Sequence, residues 1–409
     1  MSRYYACRHF LLILFNIIFI TIAADALGPI EYWGGVNLRR TIAELPQQEK
    51  SEQSLNIHPR SVRQTTDPEK TNHETDDEIY HLDPYNIYRQ LTKIGKLLPN
   101  ANVTVEVIGK TVEYNDIVLL KITERPKGRF RSHTEGKYAE DVYEKKIIFI
   151  VHGLSIKGFD QIPCLSTVQY FAALLQYYLD HLNKFDIFLI PMANPDGLNY
   201  PLKFWNKNTS PQKACPGVAL DRNFDVAWNF TRLSSSCSQQ YPGFVPFSEA
   251  ETQAIRGIFH YYHHKIIAYI NVHAGGYDEK TFKGDAVLYP RGYTDLQEDD
   301  DVYLDLKGEI DEAMRNASFR VMSVTVDTLH SWYGMVSGTS VDYAALVYGI
   351  PFALEFVMQP YSKTFNFETF QEDIAYDTLS TIWSRIIKAV FNYIFKSLHQ
   401  TDRRRYKKM

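Results

Sequence analysis

Four short, mostly apolar runs recur along the chain without the regular polar alternation that marks a half-exposed strand. Such runs are typical of strands that are buried on both faces of a mostly parallel sheet. They are Ile147–Val151, Phe185–Pro191, Ile266–Val272 and Phe352–Phe356. An earlier pair of β-rich segments, Val103–Ile108 and Ile117–Ile122, is joined by turn residues and predicts an antiparallel hairpin.

Segments with helical spacing separate these runs, and they cover residues 83–99, 165–183, 248–264 and 370–398. Ser248 followed by Glu251 predicts a capping box at the third of them. The last one carries an apolar stripe made of Ile382, Ile386, Val390 and Ile394. Strands that alternate with helices predict one α/β domain over residues 80–398, with a mixed, mostly parallel twisted sheet and helices on both faces.

The two ends of the chain differ in composition from this domain. Residues 1–26 combine early positive charge, an apolar run and an Ala24-Asp25-Ala26 cleavage site, which predicts a signal peptide and a secreted, extracellular protein. An uncleaved anchor is the alternative, but its apolar run is short for a membrane span. Residues 27–79 are polar and predict a linker or a reduced pro-segment, and residues 399–409 form a basic tail.

Charge and cysteine content narrow the class of protein. The 409 residues carry a net charge of −4, which favours neither a nucleic-acid nor a membrane-surface partner. Beyond the signal there are three cysteines, so one disulfide and one spare thiol are expected for a secreted protein. We expect a monomer. Four sequons predict glycosylation, at Asn102, Asn208, Asn229 and Asn316.

Three side chains with catalytic potential lie at or near the ends of the apolar runs: His152 and His273 follow their runs, and Glu355 is the last residue but one of the fourth. Ligands collect at the carboxyl ends of strands in open α/β sheets, so these positions favour chemistry. Between them lie the segments ANPDG at 193–197, LDRNFD at 220–225, CSQQYPGFVPFSEAET at 237–252 and LYPRGY at 288–293. With these motifs in this order, residues 80–395 resemble the zinc carboxypeptidases of the carboxypeptidase A and B type.

The resemblance implies a zinc site with a departure from the family pattern. His152 and His273 match the two zinc-binding histidines, but Ser155 stands where the family has the third ligand, a glutamate. Because a neutral hydroxyl is a much poorer zinc ligand than a carboxylate, we expect zinc to bind weakly or not at all. Asp160 and Asp278 lie beyond the two histidines and stay open as substitute ligands. The histidines at 260, 263 and 264 are better explained as a solvated helix face.

The resemblance also implies roles for the substrate-binding and catalytic residues. Glu355 matches the general base, Tyr333 the mobile tyrosine, and Val341 the specificity position, where an apolar side chain favours apolar C-terminal residues. Asn206 replaces the arginine that stabilises the oxyanion, and Asp221 replaces the asparagine that precedes Arg222 at the carboxylate-binding pair. In the family pattern, Cys215 and Cys237 form a disulfide.

Three departures at the metal, the oxyanion and the carboxylate anchor favour a pseudoenzyme. We therefore predict a secreted protein with a degenerate zinc site and little or no peptidase activity, which binds peptide C-termini or a protein partner. The alternative is an active zinc metallocarboxypeptidase that removes apolar C-terminal residues from peptides. In the alternative, another residue would supply the third zinc ligand.

Overall fold

A computed structural model of the protein describes residues 101–125, 145–155, 174–198, 200, 205–228, 235–274, 285–295, 301–315, 324–358 and 372–406. The helix predicted at residues 83–99 and the first half of the one predicted at 165–183 lie outside these ranges; residues 174–179 are helical. The signal, the linker, Cys164, Asp160 and Asp278 also lie outside the described residues.

Eight strands form one sheet, in the spatial order β1-β2-β4-β3-β5-β8-β6-β7. Their bounds are β1 Ala101–Lys110, β2 Asp116–Glu124, β3 Ile147–His152, β4 Asp186–Ile190, β5 Ile266–Ala274, β6 Ala286–Tyr289, β7 Thr325–Thr328 and β8 Phe352–Met358. The pairs β4-β3, β3-β5, β5-β8 and β6-β7 are parallel, and β1-β2, β2-β4 and β8-β6 are antiparallel. The expected mixed, mostly parallel sheet is therefore confirmed, and the four apolar runs form its centre.

Six helices have bounds that the structure describes. They are α1 Pro195–Leu198, α2 Ala250–Tyr262, α3 Asp301–Arg315, α4 Leu329–Tyr333, α5 Ser340–Tyr348 and α6 Glu372–Tyr406. Helix α6 includes most of the segment that we expected to be a separate basic tail. The capping box predicted at Ser248 is wrong, because α2 is capped by Glu249 without a side-chain hydrogen bond. The Ser248 hydroxyl instead accepts from Asn223 and donates to Glu249.

Apolar side chains cover both faces of the sheet. Residues of α3, α6 and the helical segment at 174–179 pack on one face, which we call face A, against Ile148, Ile150, Ile270 and Val272. Residues of α2, α4 and α5 pack on the other, face B, against Phe149, Val151 and Tyr269. The predicted stripe of α6 is fully buried on face A. Helices on both faces are thus confirmed, and the carboxyl ends of β3, β5 and β8 lie side by side in the middle of the sheet.

Among the described residues, no helix has the length and apolar character needed to cross a bilayer.

Candidate functional site

The neighbouring strands β5 and β8 bring together a histidine from near the carboxyl end of β5 and a glutamate from the middle of β8. On β5, Asn271 and His273 face the same side as Glu355 of β8, because Asn271 pairs in register with Glu355. The Nε2 atom of His273 lies 2.8 Å from Oε1 of Glu355. Tyr333, the last residue of α4, donates its hydroxyl to the same Oε1 at 2.5 Å and lies 3.1 Å from His273 Nε2. These three side chains form a triad, which we call the Tyr333 triad; His273 and Glu355 are buried and Tyr333 is half-buried.

The charge of Glu355 is set by competing effects. Burial alone would raise the pKa of Glu355, but the charge and hydrogen bond of His273, the Tyr333 hydroxyl and the charge of Arg222 hold that pKa below its usual value. Burial and the Glu355 charge raise the pKa of Tyr333 well above the usual value. At neutral pH the glutamate is therefore ionised and the tyrosine keeps its proton.

His152 has a different hydrogen-bond partner from His273, a tyrosine on the other side of the sheet. His152 is fully buried at the end of β3, and its Nε2 atom lies 3.1 Å from the hydroxyl of Tyr178. His152 pairs in register with Val272, a face A residue, whereas His273 lies one position further along β5, on face B. Because neighbouring positions of a strand point to opposite faces, the register directs the two imidazoles to different sides of the sheet.

The described donors do not fit a zinc ion. Zinc requires three or four donors converging at about 2.0–2.3 Å, and the anionic ones are the strongest. Ser155 is buried beyond His152 and supplies only a neutral hydroxyl. Within the described ranges, no group of three His, Cys, Asp or Glu side chains is placed to hold a metal. His260, His263 and His264 are exposed on and after α2, away from these strand ends.

A single helical turn, Leu220–Arg222, carries the predicted carboxylate anchor, and both of its charged side chains are buried. The Arg222 guanidinium donates through Nη1 to the carbonyl oxygen of Asp221, and it lies 3.4 Å from the Asp221 carboxylate. That carboxylate also accepts from the backbone N–H of Ser340 at 2.8 Å and lies 3.4 Å from Asn271 Nδ2. The turn is thus tied to α5 and β5.

Burial and the charge of Glu355 raise the pKa of Asp221, while Arg222 and Ser340 oppose the shift.

Asn206 is buried beside Trp205, and its backbone N–H donates to Gln239 Oε1 at 2.9 Å. Its side-chain oxygen has no hydrogen-bond partner in the described part of the chain. An amide at this position can donate a hydrogen bond but carries no positive charge.

The predicted specificity residue lies in the apolar wall of face B. Val341 is fully buried near the start of α5, in the same cluster as Leu288 and Ala353. The next residue, Asp342, accepts from the backbone N–H of Gly292 at 3.0 Å, and burial raises its pKa to about 7. This carboxyl fixes the loop after β6 against α5.

Sequence reasoning missed two residues of this region, Tyr178 and Asn271. For Asn271, the signal was available, because it lies two positions before His273 and a strand repeats its face every second residue. No local pattern connects Tyr178 with His152, since 26 positions separate them.

The structure also bears on the disulfide and the sequons. Cys215 and Cys237 form a disulfide with 4.8 Å between their Cα atoms. Asn102 is exposed on β1. Asn208 is fully buried and donates its side-chain nitrogen to Glu249 at 2.7 Å, so the folded protein has no room for a glycan there and the prediction for Asn208 is wrong. Asn229 and Asn316 lie outside the described residues.

Comparison with known proteins identifies one family. The family model described as zinc carboxypeptidase matches residues 87–381. Carboxypeptidase B of Helicoverpa zea is 37% identical over 123 residues, which cover 28% of this chain and 27% of the relative. Inactive metallocarboxypeptidase ECM14 of Arthroderma otae is 26% identical, and the match covers 56% of this chain and 38% of the relative. Human carboxypeptidase O is 26% identical, and the match covers 69% of this chain and 73% of the relative. The matched segment thus spans well under half of the first two relatives.

Two solved structures share the fold. A chain of the structure of bovine thrombin-activatable fibrinolysis inhibitor in complex with tick carboxypeptidase inhibitor is 22% identical, with a TM-score of 0.57, and the match covers 76% of this chain and 98% of that one. Carboxypeptidase A of Helicoverpa armigera is also 22% identical, with a TM-score of 0.57 and coverage of 78% and 74%. At this identity, the likeness concerns the fold.

Proposed function

The chain belongs to the zinc carboxypeptidase family, and we propose that it binds the C-terminal end of a peptide or a partner protein with little or no peptidase activity. In this proposal, the strand ends form a pocket that no longer holds zinc tightly. The relative from Arthroderma otae is named an inactive metallocarboxypeptidase, which is in line with the proposal.

The observation that carries this proposal is the Tyr333 triad together with Ser155. His273 Nε2 is within hydrogen-bond distance of both Glu355 and Tyr333, so a metal at this nitrogen would break the triad, and only Nδ1 could bind a metal with the triad intact. Ser155 offers no anionic ligand in compensation. Even the loss of a group that only orients a ligand lowers metal affinity by about 10- to 100-fold, so the loss of a ligand should lower it further.

Other features support binding of a chain end. Arg222 is a buried cation at the anchor position, and Val341 is a fully buried apolar residue of the face B cluster. A pocket of mostly apolar walls with a few convergent polar groups is the usual form of a small binding site. We therefore expect an apolar C-terminal residue in the ligand.

The same proposal includes the compartment. The signal at residues 1–26 would direct the chain outside the cell, as a monomer without a membrane span after cleavage. The disulfide between Cys215 and Cys237 agrees with an oxidising compartment. Glycosylation at the exposed Asn102 is expected under the same conditions.

The test is a metal and activity assay on the purified full-length protein. We expect substoichiometric zinc by mass spectrometry and no release of C-terminal residues from peptides. Restoring the family residues with Ser155→Glu, Asn206→Arg and Asp221→Asn together should raise the zinc content and restore cleavage, provided that the third ligand also draws the His152 imidazole, which the register directs to face A, toward His273. Adding Glu355→Gln to that variant should then lower cleavage by at least about 100-fold, the usual contribution of a general base.

Stoichiometric zinc in the unmodified protein, together with chelator-sensitive release of C-terminal residues, would refute the proposal and favour the active exopeptidase. The restored variant is compared with the unmodified protein by circular dichroism, so that a folding defect is not mistaken for a lack of activity.

A further inference from the structure

The anchor cation of this pocket is already engaged by its own neighbour. Arg222 donates to the carbonyl oxygen of Asp221 and lies 3.4 Å from the Asp221 carboxylate, and both side chains are buried. A buried guanidinium beside a carboxylate forms a pair with little net charge. The attraction of this position for a second anion is therefore weak.

A free C-terminal carboxylate would meet a like charge here. It carries only hydrogen-bond acceptors, and the Asp221 carboxylate beside Arg222 is also an acceptor. Two carboxylates in one buried site cannot both remain ionised without a large cost. Glu355 adds to this field, since its charge raises the pKa of Asp221.

Beside Asp221 there is a second acceptor in need of a donor. The Oδ1 atom of Asn271 is buried and has no hydrogen-bond partner in the described part of the chain. The Nδ2 atom of the same side chain lies 3.4 Å from the Asp221 carboxylate, so the two acceptors are neighbours. A buried acceptor without a donor costs about 1–3 kcal/mol, which a suitable ligand would recover.

A terminal carboxamide has the complementary set of groups. Its two N–H bonds can donate to Asp221 and Asn271, and its single oxygen can accept from Arg222. A C-terminal cation would satisfy the two acceptors but would lie against the Arg222 guanidinium. Of the three kinds of chain end, only the carboxamide offers two hydrogen-bond donors for Asp221 and Asn271 together with an acceptor for Arg222.

We propose that this pocket selects peptides that end in a carboxamide over peptides that end in a free carboxylate, and that Asp221 determines this selectivity. The inference rests on the proposed function, because it specifies which chain ends the pocket binds. Arg222 and Asn271 complete the recognition of the amide. In the family pattern, the pair at positions 221 and 222 binds a free C-terminal carboxylate. In this protein, we infer that the same pair binds a neutral C-terminal carboxamide.

The experiment compares two synthetic peptides of the same sequence, each with an N-terminal fluorophore and a C-terminal leucine. One ends in a carboxamide and the other in a free acid. Fluorescence anisotropy with the full-length protein should give an amide affinity at least about tenfold higher than the acid affinity, or about 1.4 kcal/mol. Asp221→Asn should abolish or reverse this ratio. Asp225→Asn, the same change at an exposed carboxylate in the next turn, should leave the ratio unchanged.

Each outcome separates the two proposals. Equal binding of the two peptides, or tighter binding of the acid, overturns the amide inference but leaves the proposed function in place. Binding of neither peptide overturns the proposed function and this inference with it. If Asp221→Asn fails to fold, Asn271→Ala takes its place, and it should weaken amide binding while leaving acid binding unchanged. An unchanged ratio in the folded variant also overturns the inference.

Discussion

Two buried asparagines, Asn223 and Asn271, show how differently one side chain can be used within a single domain. Neither side chain has measurable exposure. The two N–H bonds of the Asn223 amide lie within hydrogen-bond distance of three oxygens, those of Pro242, Val245 and Ser248, at 2.8–3.0 Å. Its oxygen accepts from the hydroxyl of Thr252 at 2.8 Å. Asn223 therefore holds the loop before α2 against the Leu220–Arg222 turn.

Asn271 has none of this support. Its nitrogen has one long contact, 3.4 Å to Asp221, and its oxygen has no partner in the part of the chain that the structure describes. A buried polar group whose hydrogen bonds are all made within the chain stabilises the fold, whereas open hydrogen-bonding capacity costs stability unless a ligand fills it. The contrast separates the scaffold of the domain from its binding surface.

The largest expected effect is at Asn223. Asn223→Ala should lower the free energy of unfolding by about 3–5 kcal/mol, because it leaves several buried partners without a hydrogen bond. Urea denaturation followed by circular dichroism measures this change. Asn271→Ala is the matched control, with an expected loss below about 1 kcal/mol, since few bonds are lost. Similar losses in the two variants would show that the distinction between scaffold and binding surface is wrong.

Much of the fold was predictable from local patterns. The runs that became β3, β4, β5 and β8 are apolar enough to identify central strands, and the spacing on α6 identifies its buried stripe. Strand β6 has only four residues, so its antiparallel place between β8 and β7 could not be predicted from periodicity. Pairing order depends on contacts between distant segments, which local patterns do not contain.

The candidate site was predictable in its residues but not in their contacts. Sequence order placed His152, His273 and Glu355 at strand ends, yet only His273 and Glu355 make direct contact in the structure. The face on which a side chain lies depends on the register of the strand, and a shift of one residue reverses it. The capping box at Ser248 was wrong for a related reason, because Asn223, far away in sequence, uses that hydroxyl.

In the number and length of its hydrogen bonds, Glu251 lies between the two asparagines. It is fully buried on α2, and Asn208 approaches it only at 3.4 and 3.5 Å. Burial is the main cause that raises the pKa of Glu251 to about 8 from the usual 4.5. The folded state therefore binds a proton that the unfolded state has released between these two pH values.

The stability of the protein should accordingly depend on the charge of Glu251. The contribution of this proton is fully present below about pH 4.5 and is lost as the pH rises through 8, by a few kcal/mol in all. Glu251→Gln, which cannot ionise, should flatten this decline in urea denaturation series from pH 5 to 9. Glu312→Gln, at an exposed position of α3, is the matched control and should leave the slope unchanged. An unchanged slope in Glu251→Gln would place the titrating group elsewhere.

The smallest expected effect concerns Asn206, whose side chain resembles that of Asn271 in its open capacity. Its buried oxygen has no partner among the described residues, so Asn206→Ala removes an unsatisfied acceptor and should change the free energy of unfolding by less than about 1 kcal/mol. Gln239→Ala is the informative counterpart, because Gln239 accepts from the buried backbone N–H of Asn206 at 2.9 Å. Its loss should cost about 1–3 kcal/mol by leaving that donor unpaired. If Asn206→Ala proved the more destabilising of the two, the amide of Asn206 would belong to the scaffold and not to the binding surface.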